Sequence, residues 1–492
     1  FSLLLHLLAV QAASHGSVGN GNDDDDSALM TSCLAAAGVR NVTTRRSPAY
    51  AAALAFSVQN LRFAAACAHH GPAAVVVPAS LAELRAAVLC AREAGLVVRL
   101  RSGGHSYEGL SYTTDDASGF VVIDLVALDR VRVDAGTRTA WVQSGATLGQ
   151  VYHAVAASSK TLAFSAGSCP TVGSGGHIAG GGFGLLSRKY GLAADNVIDA
   201  LLVDADGRVL DRDGMGEEVF WAIRGGGGGT WGTVYAWRVK LSPVPERVTV
   251  FVVNRPGTVE SVARLVSTWQ HVAPWLPDEF YLSAFVGAGL PESDGTGISV
   301  TFKGFYLGRS QEALEILSAR AISFLSKQPK AYVILDPYGG AMDRIAAGDL
   351  PFPHRKGNIH GIQHLIAWTA DDDDQRQEYM DWLRRFYDLM GAYVSNGPRT
   401  AYINYLDLDL GTNNNPSAAH PHHPIIGDDG SPFNSEVEAS RTWGERYFLS
   451  NYDRLVRAKT TIDPENVFRN AQSIPPLFVG ALQMTRRIAH DI

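Results

Sequence analysis

The chain has 492 residues, 46% of them hydrophobic and 18% charged, which is enough apolar material for more than one core, because single cores stop growing near ~250–300 residues. A formal net charge of -7 leaves no broad basic field to neutralise a phosphate backbone, so nucleic acid is not an expected partner. No apolar run beyond the opening stretch approaches the roughly 20 residues needed to cross a bilayer, and no membrane association is expected.

Phe1–Val10 is apolar, and Gln11–Ser14 is built of small residues, the pattern of a signal-peptide remnant over residues 1–13 with cleavage near Ala13. A secreted protein, extracellular or in the cell wall, is therefore expected, and that route permits disulfides. The triplet Asn41-Val42-Thr43 is then a glycosylation sequon at Asn41. The Asp23–Asp26 and Asp371–Asp374 runs lack the spaced oxygen ligands of a calcium loop, so they read as solvated loops and no metal site is expected. Four cysteines, at 33, 67, 90 and 169, are too few for a disulfide scaffold. Cys33 and Cys90 lie on segments that read as helical. Cys169 instead sits in a glycine-rich loop, where a thiol can approach a ligand closely.

Ser80–Glu83 forms a capping box for a helix carrying Leu84, Ala87, Val88 and Ala91 on one face, and Gly95 ends it. Strands are predicted at Leu96–Leu100, Phe120–Asp124 and Ala140–Gln143. The turn Arg101–His105 leaves the first of them directly. Nine glycines fall between Gly167 and Gly191, followed by a strand-like Asp195–Val203. A second cluster, Gly225–Gly229, leads into a strand over Thr230–Val239. Two prolines make Leu241–Arg247 a domain connection.

From Val248 to Leu410, strands at Thr249–Val253, Ile298–Phe305, Ile359–Trp368 and Arg399–Leu406 alternate with amphipathic helices near 258–272, 310–326 and 375–391, which predicts an antiparallel sheet backed by helices. Gly411–Glu436 is a long loop whose His420, His422 and His423 lack acidic or thiol partners and read as loop residues. Trp443–Lys459 reads as a helix, stopped at Asp463-Pro464.

The glycine runs carry the chemistry. A flavin dinucleotide presents a pyrophosphate that needs N–H donors at close range, and glycine lets backbone reach it. Neither a Rossmann G-x-G-x-x-G opening a helix nor a Walker lysine is present, so those two common nucleotide-binding routes are disfavoured.

Taken together, Arg101–Gly109 (RSGGHSYEG), Cys169–His177 (CPTVGSGGH), Gly180–Gly184, Arg188–Leu192, Phe220–Gly225, Ala401–Asp407 and Asn466–Asn470 resemble the berberine-bridge-enzyme-like family of plant FAD-linked oxidases. Within that family the wording is most similar to the group 4 grass pollen allergens. The resemblance implies an α+β fold: a two-subdomain FAD-binding domain of the vanillyl-alcohol-oxidase type (residues 14–246 with a return over 465–492) and a substrate domain over 247–464.

It also implies FAD bound covalently through His105 and Cys169, and a Cys33–Cys90 disulfide. Cys67 is left over as a buried thiol. Cofactor contacts are expected from Arg101, Ser102, Gly103, Gly104, Ser106, Thr171, Val172, Gly173, Gly176, His177, Gly180, Gly182, Gly184, Tyr190, Val197, Tyr447 and Asn451. Substrate chemistry is expected from Tyr107, Tyr190, Gln363, Tyr402, Asn404 and Tyr405.

A tyrosine base would have to fall from about 10 towards 7, which needs neighbouring positive charge. Where alcohol-oxidising relatives can carry a lysine two residues before the glutamine, this chain has Gly361. Gln363 is not the carboxylate that alkaloid-cyclising members use, so the implied substrate is an alcohol or carbohydrate. The small Val172 implies dioxygen access and hydrogen peroxide as product. A monomer is expected. The rival reading is a pollen flavoprotein with little turnover, acting in binding or storage.

Overall fold

In the computed structural model the described residues are 21–63, 71–114, 119–290, 297–311, 331–368, 370–413 and 435–477. Phe120–Asp124 is an uninterrupted apolar run up to its terminal aspartate, and all five positions are buried, as a strand covered on both faces requires. It is β4 of a mixed sheet with β1 (Val42–Thr44), β2 (Ala74–Val76) and β3 (Val97–Arg101), ordered β1-β2-β4-β3. β2 and β3 both run parallel to β4. The helices Gly21–Ala36 and Leu81–Glu93 cover one face, joining Met30, Leu34, Leu84, Ala87 and Val88 to Val98 and Ile123 in one core. Ser80 caps the second helix through the Glu83 N–H. The Cys33–Cys90 disulfide ties the two helices together, with a Cα–Cα distance of 5.6 Å. Val467 and Phe468 join this core from the far end of the chain, and Val98 N–H donates to Val467 O.

A second, wholly antiparallel sheet is built from β5 (Val131–Asp134), β6 (Thr139–Gln143), β7 (Val197–Val203), β8 (Val209–Leu210) and β9 (Thr233–Lys240), ordered β5-β6-β9-β7-β8. The third, also antiparallel, is β10 (Thr249–Pro256), β11 (Phe280–Gly287), β12 (Ser299–Tyr306), β13 (Ala331–Pro337) and β14 (His360–Ile366), ordered β10-β12-β11-β13-β14. The helices Val259–Val272 and Arg376–Met390 back it. The predicted helix-backed sheet is thus present, and the fold is α+β.

Several local expectations differ from the structure. Arg399–Leu406 forms no strand; its backbone is instead held by Ala401 N–H donating to Arg446 O and by a turn at Tyr402–Tyr405. Strands β11 and β13 were not predicted; β11 is buried on both faces at seven of its eight positions and so shows no period-two alternation. Trp443–Lys459 is two helices, Ser435–Phe448 and Tyr452–Ile462, broken at Leu449 with φ 47°. Asp23–Asp26 lie in the first turns of a helix rather than in a loop. Asp371–Asp374 form a 3-10 turn in which Asp373 accepts from Trp368 and Arg376. Asn41 is exposed. Residues 1–13, Cys67, nearly all of the 310–326 helix and the three loop histidines lie outside the described residues.

One side chain fastens the third sheet to the glycine-rich segment. Arg188 is 1% exposed, and its guanidinium donates to the carbonyls of Phe280 (2.8 Å), Pro274 (2.9 Å), Leu276 (2.5 Å) and Tyr338. Removing it strands four buried acceptors, each costing about 1–3 kcal/mol. Arg188→Met is therefore expected to lower the unfolding free energy by about 3 kcal/mol or more in denaturant titration. A loss below about 1 kcal/mol would show that the carbonyls find other partners.

Candidate functional site

Two glycine turns cross beneath the site. Arg101, at the end of β3, is buried with Asp124, donating through Nε at 2.8 Å, and it also donates to the carbonyls of Ala53 (2.6 Å) and Leu54 (3.0 Å). That anchor fixes where the 102–106 turn begins. The second turn, 169–175, runs alongside residues 144–149: Leu148 N–H donates to Val172 O at 2.9 Å and Ser174 N–H to Ala146 O at 2.8 Å. Where the turns cross, a Cβ on Gly103 would overlap the Gly173 backbone, and one on Gly173 would overlap Gly103 and the Ser102 hydroxyl. Only glycine allows this approach.

The crossing brings His105 and Cys169 to one hydroxyl. His105 Nε2 lies 2.9 Å from Thr171 Oγ1, and Cys169 Sγ lies 3.5 Å from the same atom. Cys169 is an exposed free thiol. Burial lowers the His105 pKa, which favours the neutral imidazole. Below the crossing, His177 Nε2 accepts the Gly167 N–H at 2.9 Å, and burial pushes its pKa down to about 4, so it is a neutral ring with its proton on Nδ1.

A cleft opens from this point. Its walls include Ser102, Gly103, Gly104, His105, Ser106, Tyr107, Val172, Gly173, Gly176, His177, Asn404 and Tyr405, together with Ser144, Trp237, Gly226–Gly229, Asn470 and Gln472. Sequence reasoning missed the last group, although the Gly225–Gly229 cluster was a visible signal. The cleft suits a flavin dinucleotide on two counts. A Cβ on Gly176 or Gly229 would meet nothing within 4 Å, so both leave open floor. Ser144 Oγ and Trp237 Nε1 are buried in its wall without a hydrogen-bond partner among the described residues, an arrangement that costs free energy until a polar ligand arrives.

Other expected cofactor residues are not brought to the cleft. Gly180 packs against the Asn404 side chain, Gly182 against Ala193 and His177, and Gly184 against Ala166 O. They are glycines because protein, not ligand, crowds them. Tyr190 donates to Pro243 O, Val197 belongs to the core beside β9, Tyr447 donates to Gln472 at 3.2 Å, and Asn451 donates to the carbonyls of Ala347, Leu350 and Pro351. Tyr402 is a brace: its hydroxyl accepts the N–H groups of Gly182 (2.9 Å) and Phe183 (3.2 Å), and Asn404 Nδ2 lies 3.0 Å from both that hydroxyl and His177 O.

Tyr107, Gln363 and Tyr405 do come together. Gln363 Nε2 on β14 donates to the Tyr107 hydroxyl, and the Tyr107 and Tyr405 rings stand 5.8 Å apart. Burial pushes the Tyr107 pKa up to about 12, outweighing the Gln363 hydrogen bond, and raises Tyr405 further above its ordinary value. The depressed tyrosine that a cation would create is absent from this pair. Beside Tyr107, burial pushes Glu108 up to about 7 against the pull of Arg62, 3.4 Å away.

The glycine floor gives a direct test. Gly176→Val places its side chain in open cleft, so the protein is expected to keep its melting temperature within a few degrees while flavin absorbance falls by more than about tenfold. Full flavin content in this variant would show that the ligand lies elsewhere.

Residues 72–212 match the FAD binding domain family and residues 401–475 the "Berberine and berberine like" family. The chain is 47% identical to berberine bridge enzyme-like D-1 of Nicotiana tabacum, over 88% of each chain. It is 41% identical to reticuline oxidase of Papaver somniferum, covering 93% of this chain and 94% of that one. Berberine bridge enzyme from Eschscholzia californica superposes with a TM-score of 0.82 at 40% identity, over 91% of this chain and 99% of that one. The expected likeness to grass pollen group 4 allergens is present too: Bermuda grass isoallergen BG60 has a TM-score of 0.78 at 36% identity, over 91% and 100% of the two chains. A valine-for-isoleucine variant of Phl p 4, described as a glucose oxidase, gives 0.79 at 35%, over 91% and 99%. With both family domains matched and such identity along nearly its whole length, the chain belongs to the berberine-bridge-enzyme-like family of FAD-dependent oxidoreductases.

Proposed function

We propose that this protein is a secreted oxidase of alcohols or carbohydrates, with FAD joined covalently to His105 and Cys169 and dioxygen reduced to hydrogen peroxide. The observation that carries the reading is the convergence of His105 and Cys169 on the Thr171 hydroxyl at the mouth of a glycine-floored cleft, with Tyr107, Gln363 and Tyr405 beside it. When bound, FAD supplies the two-electron acceptor for hydride from a CH–OH carbon and passes those electrons to dioxygen.

The protein's own residues have separate tasks. Gly103, Gly104, Gly173 and Gly176 bring backbone close to the cofactor, and Ser144 and Trp237 offer it polar atoms. The Tyr107 oxygen, oriented by Gln363, receives the substrate hydroxyl proton. Gln363 cannot serve as a carboxylate base, which favours alcohol or sugar oxidation over the chemistry named for the reticuline oxidases. The glucose oxidase described for the Phl p 4 variant supports the same choice.

Ionising a tyrosine whose pKa stands above its ordinary value, as that of Tyr107 does, is costly at neutral pH. No cation beside Gly361 offsets that cost among the described residues, and this favours the second reading of a flavoprotein with little turnover. Anaerobic mixing with sugars and cinnamyl-type alcohols separates the two. The oxidase reading requires flavin bleaching by at least one, at a rate rising about tenfold per pH unit above neutrality, because the reactive form lies on the alkaline side of a raised pKa. Tyr107→Phe is expected to slow bleaching by about 10²–10⁴-fold with flavin content unchanged. No bleaching by any candidate at any pH would leave the low-turnover reading.

A further inference from the structure

The third sheet holds a buried carboxylate, Asp336, whose charge is felt at Tyr107 and which the proposed chemistry does not use. In the β13–β14 pairing Asp336 stands opposite Gly361 and Ile334 opposite Gln363. Cross-strand partners, and residues two apart, share a face. Asp336 therefore lies on the face from which Gln363 reaches Tyr107. Its side chain is nearly buried, and Oδ1 accepts the Tyr281 hydroxyl at 2.6 Å from the same face of β11.

No described cation bonds to it. Two buried guanidiniums, Arg355 and Arg188, are committed elsewhere: Arg355 is paired with Asp195 at 2.8 and 3.0 Å, and Arg188 is spent on four carbonyls. Gly361 adds no charge, and a Cβ there would already stand 3.1 Å from the Tyr338 hydroxyl. The carboxylate bonds to the Tyr281 hydroxyl, and its charge opposes ionisation of Tyr281, Tyr338, Tyr107 and Tyr405. Burial raises the Asp336 pKa to about 6, so it carries its charge in mildly alkaline solution.

A fixed negative charge with no internal counter-ion lowers the free energy of a cation in the neighbouring cleft and raises that of an anion. We propose that Asp336 makes the substrate side of the cleft charge-selective, so that the preferred substrates are alcohols carrying a protonated amine, such as amino alcohols or amino sugars. This deepens the oxidase reading and rests on its placement of the substrate beside Tyr107 and Gln363.

The test uses the flavin-loaded protein and equilibrium binding rather than turnover. Benzylamine, benzyl alcohol and benzoate, similar in size but cationic, neutral and anionic at about pH 8, are titrated while flavin absorbance is followed. Benzylamine is expected to bind about tenfold or more tightly than benzoate, with the alcohol between them. Asp336→Asn, which keeps an acceptor for Tyr281, is expected to bring the three within about threefold, at unchanged flavin content. Equal binding of the three by the unaltered protein would overturn the proposal without recourse to any variant. So would a preference that survives Asp336→Asn. If none of the probes perturbs the flavin, the substrate site itself is misplaced and the inference falls with it; binding without discrimination sinks the inference alone.

Discussion

Close contact between two peptide backbones, at Gly103 and Gly173, is the constraint on which the rest of the site depends. Neither position tolerates a Cβ, since each would occupy space held by the other's main chain. The turns are held from outside the site, one by the buried Arg101–Asp124 pair and the other by the ladder of hydrogen bonds along residues 144–149. Their crossing lets two residues 64 positions apart touch the same Thr171 hydroxyl. A nucleophilic ring nitrogen and a thiol are thereby presented at one edge of a cleft whose floor is bare backbone.

The other wall comes from a different sheet, and its electrostatics differ. The Tyr107, Tyr405, Tyr281 and Tyr338 hydroxyls are all held above their ordinary pKa by burial. The Asp336 carboxylate raises them further, and Gly361 brings no cation to that wall. That wall stays registered with the glycine turns through Arg188, whose four carbonyl acceptors belong to the third sheet and its flanking loops. Cofactor capture and proton chemistry are thus governed by separate layers. The glycine crossing governs the first, and the buried tyrosines with Asp336 govern the second.

Much of the cofactor side was legible in the sequence, because glycine spacing and a strand-end histidine mark close backbone approach wherever they occur. The capping box at Ser80, the strand Phe120–Asp124 and the helix-backed sheet were legible for the same local reason. What local pattern could not reveal was which glycines face ligand and which face protein. Gly176 and Gly180 look alike in the chain, yet one opens on empty cleft and the other is filled by Asn404, 224 residues away. Tyr402 illustrates the same limit: it reads as a site tyrosine, but its hydroxyl is occupied by the N–H groups of Gly182 and Phe183. Asp336 was invisible because its meaning depends on strand register across β13 and β14.

The proposal that His105 and Cys169 would each hold the flavin by a covalent bond underlies the oxidase reading. Proteolysis of the denatured holoprotein followed by mass spectrometry tests it most directly. The expected result is a single flavin-bearing species in which the peptides containing His105 and Cys169 are joined through the cofactor, and which separates from free FAD under denaturing conditions. Recovery of both peptides unmodified, with all the flavin released on denaturation, would contradict it.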